Sequence, residues 1–289
     1  MLALQEHIPL RSKTTMRIGG HARYYAELGT KGECEGAYSF AREKKLPLIV
    51  LGGGSNTIFA DGIIDALVVR VKGEKVEVEG NRIRVEAGKN LPNFINELAE
   101  KNLDLSPLTG IPGTVGGAIF GNAGQGFSGI WMSHYVKEVE VFLGGEWQTL
   151  TQEGLHFAYR FSALKEMGSP IIWSTLLEVP SRPAREVKAE VERLLQRRID
   201  TQPHVKTAGS CFLSLSKELP AWKLIDAAGF RGKGRGEVEV AEKHANFLLN
   251  KGNARFEDVK ALVADIRRSI PEELEVEMRF IEEDGTLAF

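Results

Sequence analysis

The first part of the chain has the hydrophobic spacing of an α/β unit. Cys34, Ala37 and Ala41 recur at helical intervals, and the apolar run 46–51 then leads directly into the glycines 52–54. A short apolar run bounded by glycines is typical of a buried strand that ends in a tight loop. The pattern therefore predicts a helix, a strand and a glycine-rich loop in succession.

The middle of the chain has the spacing of an antiparallel sheet. Apolar and charged residues alternate on both sides of Gly80, which predicts a β-hairpin over 76–85. A helical stripe follows at 91–98, and further strands are predicted at 136–142 and 170–179. The change from helical to alternating spacing favours a mixed α+β protein.

A charged helix predicted at 182–198 leads into a third block with a pattern of its own. The predicted elements that follow are, in order, a strand at 209–215, a helix around 224–225, a strand-like segment at 245–250, a helix at 256–266 and a terminal strand at 274–280. This block and the two patterns before it divide the chain into three parts and a terminal strand.

Composition excludes several classes of function. The 289 residues are 43% hydrophobic and 26% charged, which is typical of a globular protein of about two domains. A net charge of −2 provides no general positive field, so neither nucleic acid nor a membrane is an expected partner. The two cysteines lack metal-site spacing, which predicts no metal and favours a reducing compartment. Because the first residues do not resemble a signal peptide, a cytoplasmic location is expected.

One long uncharged stretch needs an explanation. No Asp, Glu, Lys or Arg occurs in the 32 residues between Asp104 and Lys137. Its many glycines, together with Pro107 and Pro112, break it too often for a lipid-facing helix. We interpret it as a glycine-rich loop that is buried or faces a ligand.

The 31 glycines of the chain are bunched, and two clusters suit a pyrophosphate. Residues 52–54 follow a predicted strand, and residues 110–117 contain four further glycines. Glycine allows the backbone to approach a ligand closely, and successive N–H groups form a concavity that binds anions. Neither cluster matches the P-loop or the GxGxxG motif.

Seven segments together resemble one enzyme family, the UDP-N-acetylenolpyruvoylglucosamine reductases. The segments that carry the resemblance are, in chain order, Thr14–Gly20, Leu51–Asn56, Gly110–Gly117, Tyr159–Ser162, Gly209–Phe212, His244–Asn250 and Leu274–Phe280. Only 50 residues separate Arg160 from Ser210, which leaves no room for the extra loop of the longer class and implies the shorter, type II class.

The resemblance implies an α+β fold with an FAD-binding part of the PCMH and vanillyl-alcohol-oxidase type and a third α/β substrate domain. The implied division is 1–72 for the N-terminal FAD-binding subdomain, 73–198 for the second FAD-binding subdomain with the antiparallel sheet, 199–270 for the substrate domain, and 271–289 for a strand that returns to the FAD-binding part. A monomer is expected.

The implied activity is the reduction of a nucleotide sugar, UDP-N-acetylglucosamine enolpyruvate, with FAD and NADPH as cofactors. NADPH reduces FAD, a hydride then reaches C3 of the enolpyruvyl group, and a proton reaches C2. The positions that match the family's FAD-binding loops are Gly52, Gly53, Gly54, Ser55, Asn56, Gly113, Thr114, Gly117 and Asn122.

Three residues occupy the family's catalytic positions: Arg160, Ser210 and Glu277. The guanidinium of Arg160 can grip the substrate carboxylate, where charge develops in the transition state. Ser210 would protonate C2, and Glu277 would stabilise the enol form or relay a proton. Cys211 is the alternative acid. If 209–215 is a strand, Ser210 and Cys211 face opposite sides and only one of them reaches the substrate.

The third block is locally basic, which suits the diphosphate of the substrate. The residues expected to bind substrate, besides Arg160, are Lys206, Arg231, Lys233 and Arg235. Two segments depart from the family pattern: Leu213–Leu215 replaces the usual Lys-Asn-Pro, and Gln125–Phe127 replaces Ala-Tyr-Gly. The replacement of Lys-Asn-Pro leaves open a flavoenzyme of the same fold that acts on another substrate. A non-catalytic nucleotide-sugar binder that keeps the glycine loops is a further alternative.

Overall fold

The computed structural model describes residues 2–126 and 129–289. Phe127, which belongs to one of the departures from the family pattern, lies outside the described residues. The helices of the described chain are α1 (Lys31–Lys44), α2 (Leu91–Glu100), α3 (Val115–Phe120), α4 (Ala184–Thr201), α5 (Ala221–Ala227) and α6 (Phe256–Ser269).

The strands range from two to nine residues, and those in the last part of the chain are all short. They are β1 (Gln5–Pro9), β2 (His21–Leu28), β3 (Leu48–Val50), β4 (Thr57–Phe59), β5 (Ile63–Val71), β6 (Val76–Glu79), β7 (Arg82–Glu86), β8 (Gly124–Gln125), β9 (Ile130–Trp131), β10 (Val136–Leu143), β11 (Glu146–Thr151), β12 (Ile171–Glu178), β13 (Gly234–Arg235), β14 (Val238–Val240), β15 (Leu248–Asn250) and β16 (Arg279–Ile281).

The chain forms two compact units, and each contains more than one stretch of sequence. Unit 1 consists of Met1–Leu4, Ala26–Gly53 and Leu67–Arg198, and unit 2 consists of Gln5–Tyr25, Gly54–Ala66 and Ile199–Phe289. The first glycine cluster is therefore divided, with Gly52 and Gly53 in unit 1 and Gly54 in unit 2. The four-part division expected from the sequence stays a prediction.

Unit 1 is built on an antiparallel sheet with the strand order β11-β10-β12-β7-β6. The hairpin predicted around Gly80 is confirmed as β6 and β7, with Glu79 opposite Arg82 and a φ of +62° at Gly80. The apolar stripe of α2 is buried with the inner face of this sheet in one core, as its helical spacing predicts. The predicted helix α1 and strand β3 are also confirmed.

Unit 2 combines small sheets with helix α6. The strand β16 pairs in parallel with β4, with Arg279 opposite Thr57, and β14 pairs antiparallel with β15. Helix α6 buries the apolar stripe that the sequence predicts, which includes Phe256, Val263 and Ile266. Residues that are far apart in sequence, from the N-terminal segment to the last strand, thus share unit 2.

Two strands predicted in the third block are wrong in extent. Residues 209–215 form isolated bridges, from Ser210 to Phe247 and from Phe212 to Val276, and no continuous strand. The terminal strand covers only Arg279–Ile281. The N–H groups of both Glu277 and Met278 point to the carbonyl of Cys211, so the ladder is interrupted there. Simple alternation of faces does not apply at Ser210 and Cys211.

The segment 245–250 is also shorter as a strand, since only β15 (Leu248–Asn250) is extended. The Phe247 N–H donates to the His244 carbonyl at 2.9 Å, which closes a turn immediately before the strand. A run of hydrophobic residues does not reveal such a turn, because it records which side chains are buried and not where the backbone changes direction.

The uncharged stretch contains more regular structure than a loop. Helix α3 lies within it, and a 3₁₀ turn at Ser106–Leu108, rather than an α-helix, precedes the glycines. The Thr114 hydroxyl caps α3 by accepting from the Gly117 N–H at 3.3 Å. Its two glycines lower the helix propensity of α3, so the sequence pattern missed it. Within residues 2–126 and 129–289, no helix has the length and hydropathy needed to cross a membrane.

Candidate functional site

The two glycine clusters meet backbone to backbone in unit 1. A Cβ placed on Gly53 would lie 2.5 Å from the Gly113 Cα, and one on Gly52 would lie 3.0 Å from the Thr114 hydroxyl. No real Cβ tolerates the first of these distances, so glycine is required at Gly53. The close approach leaves peptide groups of both loops uncovered by side chains, a cradle of the kind that fits a dinucleotide pyrophosphate.

Gly117 and Asn122 belong to the same part of unit 1. Gly117 lies in the first turn of α3, and its Cα is 3.7 Å from the position that a Cβ on Gly52 would occupy. Asn122 is buried with a φ of +40°, and its amide bonds to the protein: Nδ2 donates to the Ala158 carbonyl at 2.8 Å, and Oδ1 accepts from the Ser133 N–H at 3.0 Å. This amide holds the turn that begins at Ala158.

That turn carries Arg160. Ala158 and Phe161 bond to each other through both of their backbone groups, and Arg160 has a φ of +54° between them. A non-glycine residue in the left-handed region is uncommon, and such residues concentrate at functional sites. The Arg160 guanidinium lies 5.4 Å from the centre of the Trp131 ring, and its carbonyl accepts from Lys165 Nζ at 2.7 Å.

Gly54, Ser55 and Asn56, the second half of the first loop, belong to unit 2. Gly54 has a φ of +67°, and a Cβ there would lie 2.1 Å from the Lys13 carbonyl oxygen. The side-chain amide of Asn56 donates to the Glu277 carbonyl at 3.0 Å. The Asn56 carbonyl in turn accepts from the Arg279 N–H at 2.9 Å. The end of the predicted cofactor loop is therefore bonded directly to the predicted catalytic segment around Glu277.

The Ser210 segment lies between two other motifs of unit 2. The Cys211 N–H donates to the Asn246 carbonyl at 2.8 Å, and the Cys211 carbonyl accepts from the Glu277 N–H at 2.8 Å. Gly209, with a φ of +81°, has the Ser55 carbonyl oxygen 3.9 Å from its Cβ position. Three motifs distant in sequence are thus joined through their backbones, and Ser210 and Glu277 lie on neighbouring segments.

Asn246 fixes this arrangement, and the sequence pattern missed its role. It is 4% exposed, its Oδ1 accepts from the Phe212 N–H at 2.9 Å, and its Nδ2 donates to the Phe212 carbonyl at 2.8 Å. The amide pairs as a backbone peptide group of a neighbouring strand would. The signal available in the sequence was a polar residue inside an otherwise apolar run.

The structure distinguishes between Ser210 and Cys211 as proton donors. Burial, with a further contribution from the Glu277 charge, raises the pKa of the Cys211 thiol well above its usual range. Cys211 is fully buried, whereas Ser210 is half-buried. An inaccessible thiol does not reach a substrate, so this geometry favours Ser210.

The basic residues of the third block differ in what they contact. Arg231 forks onto the Asp226 carboxylate through bonds of 2.8 and 2.7 Å, and Arg235 pairs with Asp265 at 3.0 Å. Lys233 is exposed with its Nζ 5.0 Å from the centre of the Phe230 ring. Lys206 is exposed as well. Carboxylates already neutralise the two arginines, so the lysines are the better placed of the four for an anion.

One further cation was missed by the sequence reasoning, which placed it on the polar side of α4. The Cδ of Arg198 lies 2.5 Å from the position that a Cβ on Gly110 would occupy. Arg198 therefore packs against the second glycine cluster of unit 1. Among the residues that the structure describes, no group of His, Cys, Asp and Glu is arranged to hold a metal ion.

Two family models match this chain, one in each half. Residues 22–150 match the model of an FAD binding domain, and residues 201–281 match the model described as UDP-N-acetylenolpyruvoylglucosamine reductase, C-terminal domain. With the glycine cradle, the first match establishes an FAD-dependent flavoprotein. The predicted α+β fold with an FAD-binding part is confirmed.

Relatives that match nearly the whole chain are reductases of one family. A UDP-N-acetylenolpyruvoylglucosamine reductase of Moorella thermoacetica is 37% identical over 93% of this chain and 89% of its own, and one of Chlamydia muridarum is 33% identical over 96% and 95%. The crystal structure of the reductase from Thermus caldophilus matches with a TM-score of 0.85 and 31% identity, over 97% of this chain and 99% of that one. This chain belongs to the UDP-N-acetylenolpyruvoylglucosamine reductase family of FAD oxidoreductases.

Proposed function

We propose that this protein reduces UDP-N-acetylglucosamine enolpyruvate to UDP-N-acetylmuramate for peptidoglycan precursor synthesis, with NADPH as the reductant. The observation that carries the proposal is the convergence within unit 2 of three motifs, around Asn56, Ser210 and Glu277, through backbone and amide hydrogen bonds of 2.8–3.0 Å. Family membership supports the same conclusion.

FAD, when bound, supplies the hydride that adds to C3 of the enolpyruvyl group. The residues of unit 1 that would hold it are the glycines of the cradle, Gly52, Gly53, Gly113 and Gly117. Gly53 and Gly113 fit this role because their backbones approach each other without intervening side chains. Thr114 contributes indirectly, since its hydroxyl caps α3.

Arg160 is assigned to the substrate carboxylate. As C3 gains the hydride, electron density moves towards C2 and the adjacent carboxylate, and a fixed cation beside that carboxylate lowers the energy of the transition state. Asn122 and Lys165 hold the backbone of the Arg160 turn, and the Arg160 guanidinium lies 5.4 Å from the centre of the Trp131 ring. A turn held in this way loses little conformational freedom when the substrate binds.

Ser210 is assigned to the protonation of C2. The new C–H bond at C2 forms as the Ser210 O–H bond breaks, and the enol electrons are used in that bond. A hydroxyl is a weak acid, but a reactive enolate held beside it accepts the proton readily, and general acid catalysis contributes about 10²–10⁴-fold in rate. Half-burial and the bridge to Phe247 support this assignment.

Glu277 is assigned to stabilising the enol form or relaying the proton to Ser210. It is half-buried, its N–H bonds to Cys211, and its carbonyl bonds to Asn56. Substrate binding is assigned to Lys206 and Lys233, with Arg231 and Arg235 holding the loop that carries Lys233 through their ion pairs with Asp226 and Asp265. We expect the protein to act as a monomer in the cytoplasm, where NADPH and the reduced state of Cys34 and Cys211 are maintained.

The experiment that tests the proposal separates the two half-reactions by stopped-flow absorbance. We expect Ser210→Ala to retain flavin reduction by NADPH within about twofold and to slow reoxidation by the enolpyruvyl sugar nucleotide by about 10²-fold or more. Ser269→Ala, which removes an exposed hydroxyl from the end of α6 in the same unit, is the matched control. Equal losses in both half-reactions would contradict the role of Ser210.

A second candidate is a flavoenzyme of the same fold that acts on another substrate. It is favoured by the segment that replaces Lys-Asn-Pro, where Leu215 is 48% exposed and the Ser214 hydroxyl accepts from the Ala221 N–H. This segment presents no cation to a diphosphate. NADPH oxidation that proceeds at the same rate without the enolpyruvyl sugar nucleotide would support this candidate, and a purified protein without flavin colour would indicate a non-catalytic binder.

A further inference from the structure

Arg198 is a half-buried cation of unit 1 to which the proposed function assigns no role. Its side chain packs on Gly110, with the Cδ 2.5 Å from the position of a Cβ there. Gly110 has a φ of +81°, so the position favours glycine on conformational grounds as well. The absence of a side chain at Gly110 allows Arg198 to reach the backbone of the second glycine cluster.

A second guanidinium lies near Arg198. Burial of the side chain, together with the positive charge of Arg160, lowers the pKa of Arg198 to about 10. Arg198 remains charged at neutral pH and forms no ion pair or side-chain hydrogen bond within the described residues. Two neighbouring cations, one of which lacks a carboxylate partner, form an arrangement that an anion stabilises.

Thr109, next to Gly110, carries an unsatisfied side-chain hydroxyl. Thr109 is 4% exposed, and its hydroxyl has no hydrogen-bond partner within residues 2–126 and 129–289. The Thr109 carbonyl accepts from the side-chain amide of Gln125. In the pair of strands β8 and β9, Gln125 lies opposite Ile130, the residue before Trp131. Since the Arg160 guanidinium lies near the Trp131 ring, these contacts connect Arg160 to the loop against which Arg198 packs.

We infer that Arg198 and Arg160 together form an anion site beside the backbone of Thr109 and Gly110, and that Arg198 binds a phosphate or carboxylate oxygen there. This inference rests on the proposed function for the identity of the anion. The diphosphate of FAD and the anionic groups of the substrate share the required chemistry. A guanidinium offers a planar fork of donors to either group, which a lysine does not reproduce.

The test compares Arg198→Gln with Arg197→Gln. Both substitutions remove one positive charge from the same helix, but Arg197 is exposed, so the second variant controls for net charge. The apoprotein of each variant is titrated with FAD while flavin fluorescence is followed, and KM and kcat are measured with the enolpyruvyl sugar nucleotide. The loss of one charge-assisted hydrogen bond predicts an effect of about 10–100-fold for Arg198→Gln.

The two readouts distinguish the source of the anion. A weaker FAD affinity in Arg198→Gln, with Arg197→Gln at the wild-type value, assigns the site to the cofactor diphosphate. Unchanged FAD affinity with a raised KM assigns it to the substrate. If both quantities in Arg198→Gln stay within threefold of those in Arg197→Gln, the inference is overturned.

A second variant and a probe that needs no turnover keep the inference testable if Arg198→Gln does not fold. Arg198→Lys keeps a positive charge but not the planar fork of donors. We expect it to weaken by about tenfold whichever quantity Arg198→Gln changes, the FAD affinity or the KM for the sugar nucleotide. Phosphoenolpyruvate carries both a carboxylate and a phosphate, and it should raise the melting temperature of the wild type and of Arg197→Gln more than that of Arg198→Lys. Equal shifts in all three proteins would overturn the site, whereas an inactive wild type would overturn only the proposed function.

Discussion

At the scale of single residues, environment rather than residue type separates the candidates for chemistry. Ser210 and Cys211 are adjacent, and by its ordinary pKa the thiol is the stronger acid. The Cys211 side chain is fully buried, and burial disfavours the thiolate. Arg160 provides a second example, because its left-handed backbone and its position near Trp131 distinguish it from arginines on exposed helices.

We expect both cysteines to resist alkylation in the native protein. Burial raises the pKa of Cys34 to about 12 and that of Cys211 further, so neither thiol is ionised or accessible at pH 8. Incubation with iodoacetamide followed by mass spectrometry should find no adducts, and two adducts after unfolding in guanidinium chloride. Native labelling of Cys211 would show that the Ser210 segment opens in solution.

The same raised pKa values predict how stability changes at alkaline pH. An unfolded thiol ionises near pH 8.5, whereas the folded thiols stay protonated, so the folded state holds more protons above that pH. The free energy of unfolding should therefore decrease as pH rises from about 8.5 to 10.5, by up to about 1.4 kcal/mol per pH unit for each thiol. Urea titrations should show a smaller decrease for Cys34→Ala, and an identical slope would contradict this origin.

We expect Arg160→Lys to reduce kcat/KM by about 10–100-fold, because a lysine loses the bidentate grip on a carboxylate, which is worth about 1.5–3 kcal/mol. Steady-state kinetics with the enolpyruvyl sugar nucleotide measure this loss. Arg185→Lys, at an exposed position of α4, is the control and should leave kcat/KM unchanged. A rise in KM for NADPH alone would assign Arg160 to the other half-reaction.

At the scale of elements, short irregular segments are held by side-chain amides where regular ladders stop. Asn246 pairs with both backbone groups of Phe212, Asn122 holds the Arg160 turn, and Asn56 connects its loop to Glu277. Each amide offers a donor and an acceptor in one plane, as a peptide group does. Two of these residues, Asn56 and Asn122, were expected to bind cofactor, and that role remains a prediction.

We expect Asn246→Ala to destabilise the protein by about 3 kcal/mol, since it leaves a buried N–H and a buried carbonyl of Phe212 unsatisfied. It should also slow the substrate half-reaction more than flavin reduction, because Phe212 lies two residues from Ser210. Urea denaturation and stopped-flow absorbance measure the two effects. The control is Asn253→Ala, at an exposed position of the same block.

We expect Gly53→Ala to yield a protein with little bound flavin. Its Cβ would lie 2.5 Å from the Gly113 Cα, so the two loops of the cradle must separate. The ratio of absorbance at 450 nm to that at 280 nm in the purified protein measures the flavin content. Gly32→Ala has open space around its Cβ position in helix α1 and should retain full colour. Full flavin content in Gly53→Ala would exclude the cradle as the pyrophosphate site.

At the scale of the whole molecule, each of the two units draws on distant parts of the sequence. Unit 2 joins residues near the N-terminus, the loop at Asn56 and the terminal strand β16, and unit 1 holds Gly53 together with Gly113. The division of the first glycine cluster between the units makes the loop 52–56 a covalent link from one unit to the other. With a net charge of only −2, binding of an anionic cofactor depends on local groups rather than on an overall field.

We expect FAD to stabilise unit 1, which contains the glycine cradle. Ligand that binds only the folded state adds about 2.7 kcal/mol at a hundredfold excess over Kd. For a protein of this size, this corresponds to an increase of roughly 5–10 °C in melting temperature. Calorimetry of apoprotein and holoprotein should show that the unfolding transition of unit 1 moves upward with FAD. A transition of unit 1 that does not respond to FAD would contradict the cradle as the cofactor site.

The sequence by itself determined the elements with a strong period and the residues of the motifs. The stripes of α2 and α6 and the hairpin at Gly80 follow from burial of apolar residues on one face, which local spacing records directly. The resemblance also led to the FAD-binding fold and to the candidate residues, because the glycine loops in its motifs allow a ligand to approach the backbone closely.

Only the tertiary structure decided which residues meet and which are occupied elsewhere. The fork of Arg231 onto Asp226, the amide of Asn246 on Phe212 and the packing of Arg198 on Gly110 are invisible to local spacing. Each is a contact between side chains and groups that only the folded backbone brings together. Where the partners are far apart in sequence, the path of the chain decides whether they meet, and composition does not. The interruption of the ladder at Cys211 has the same cause, since two N–H groups from another segment compete for one carbonyl.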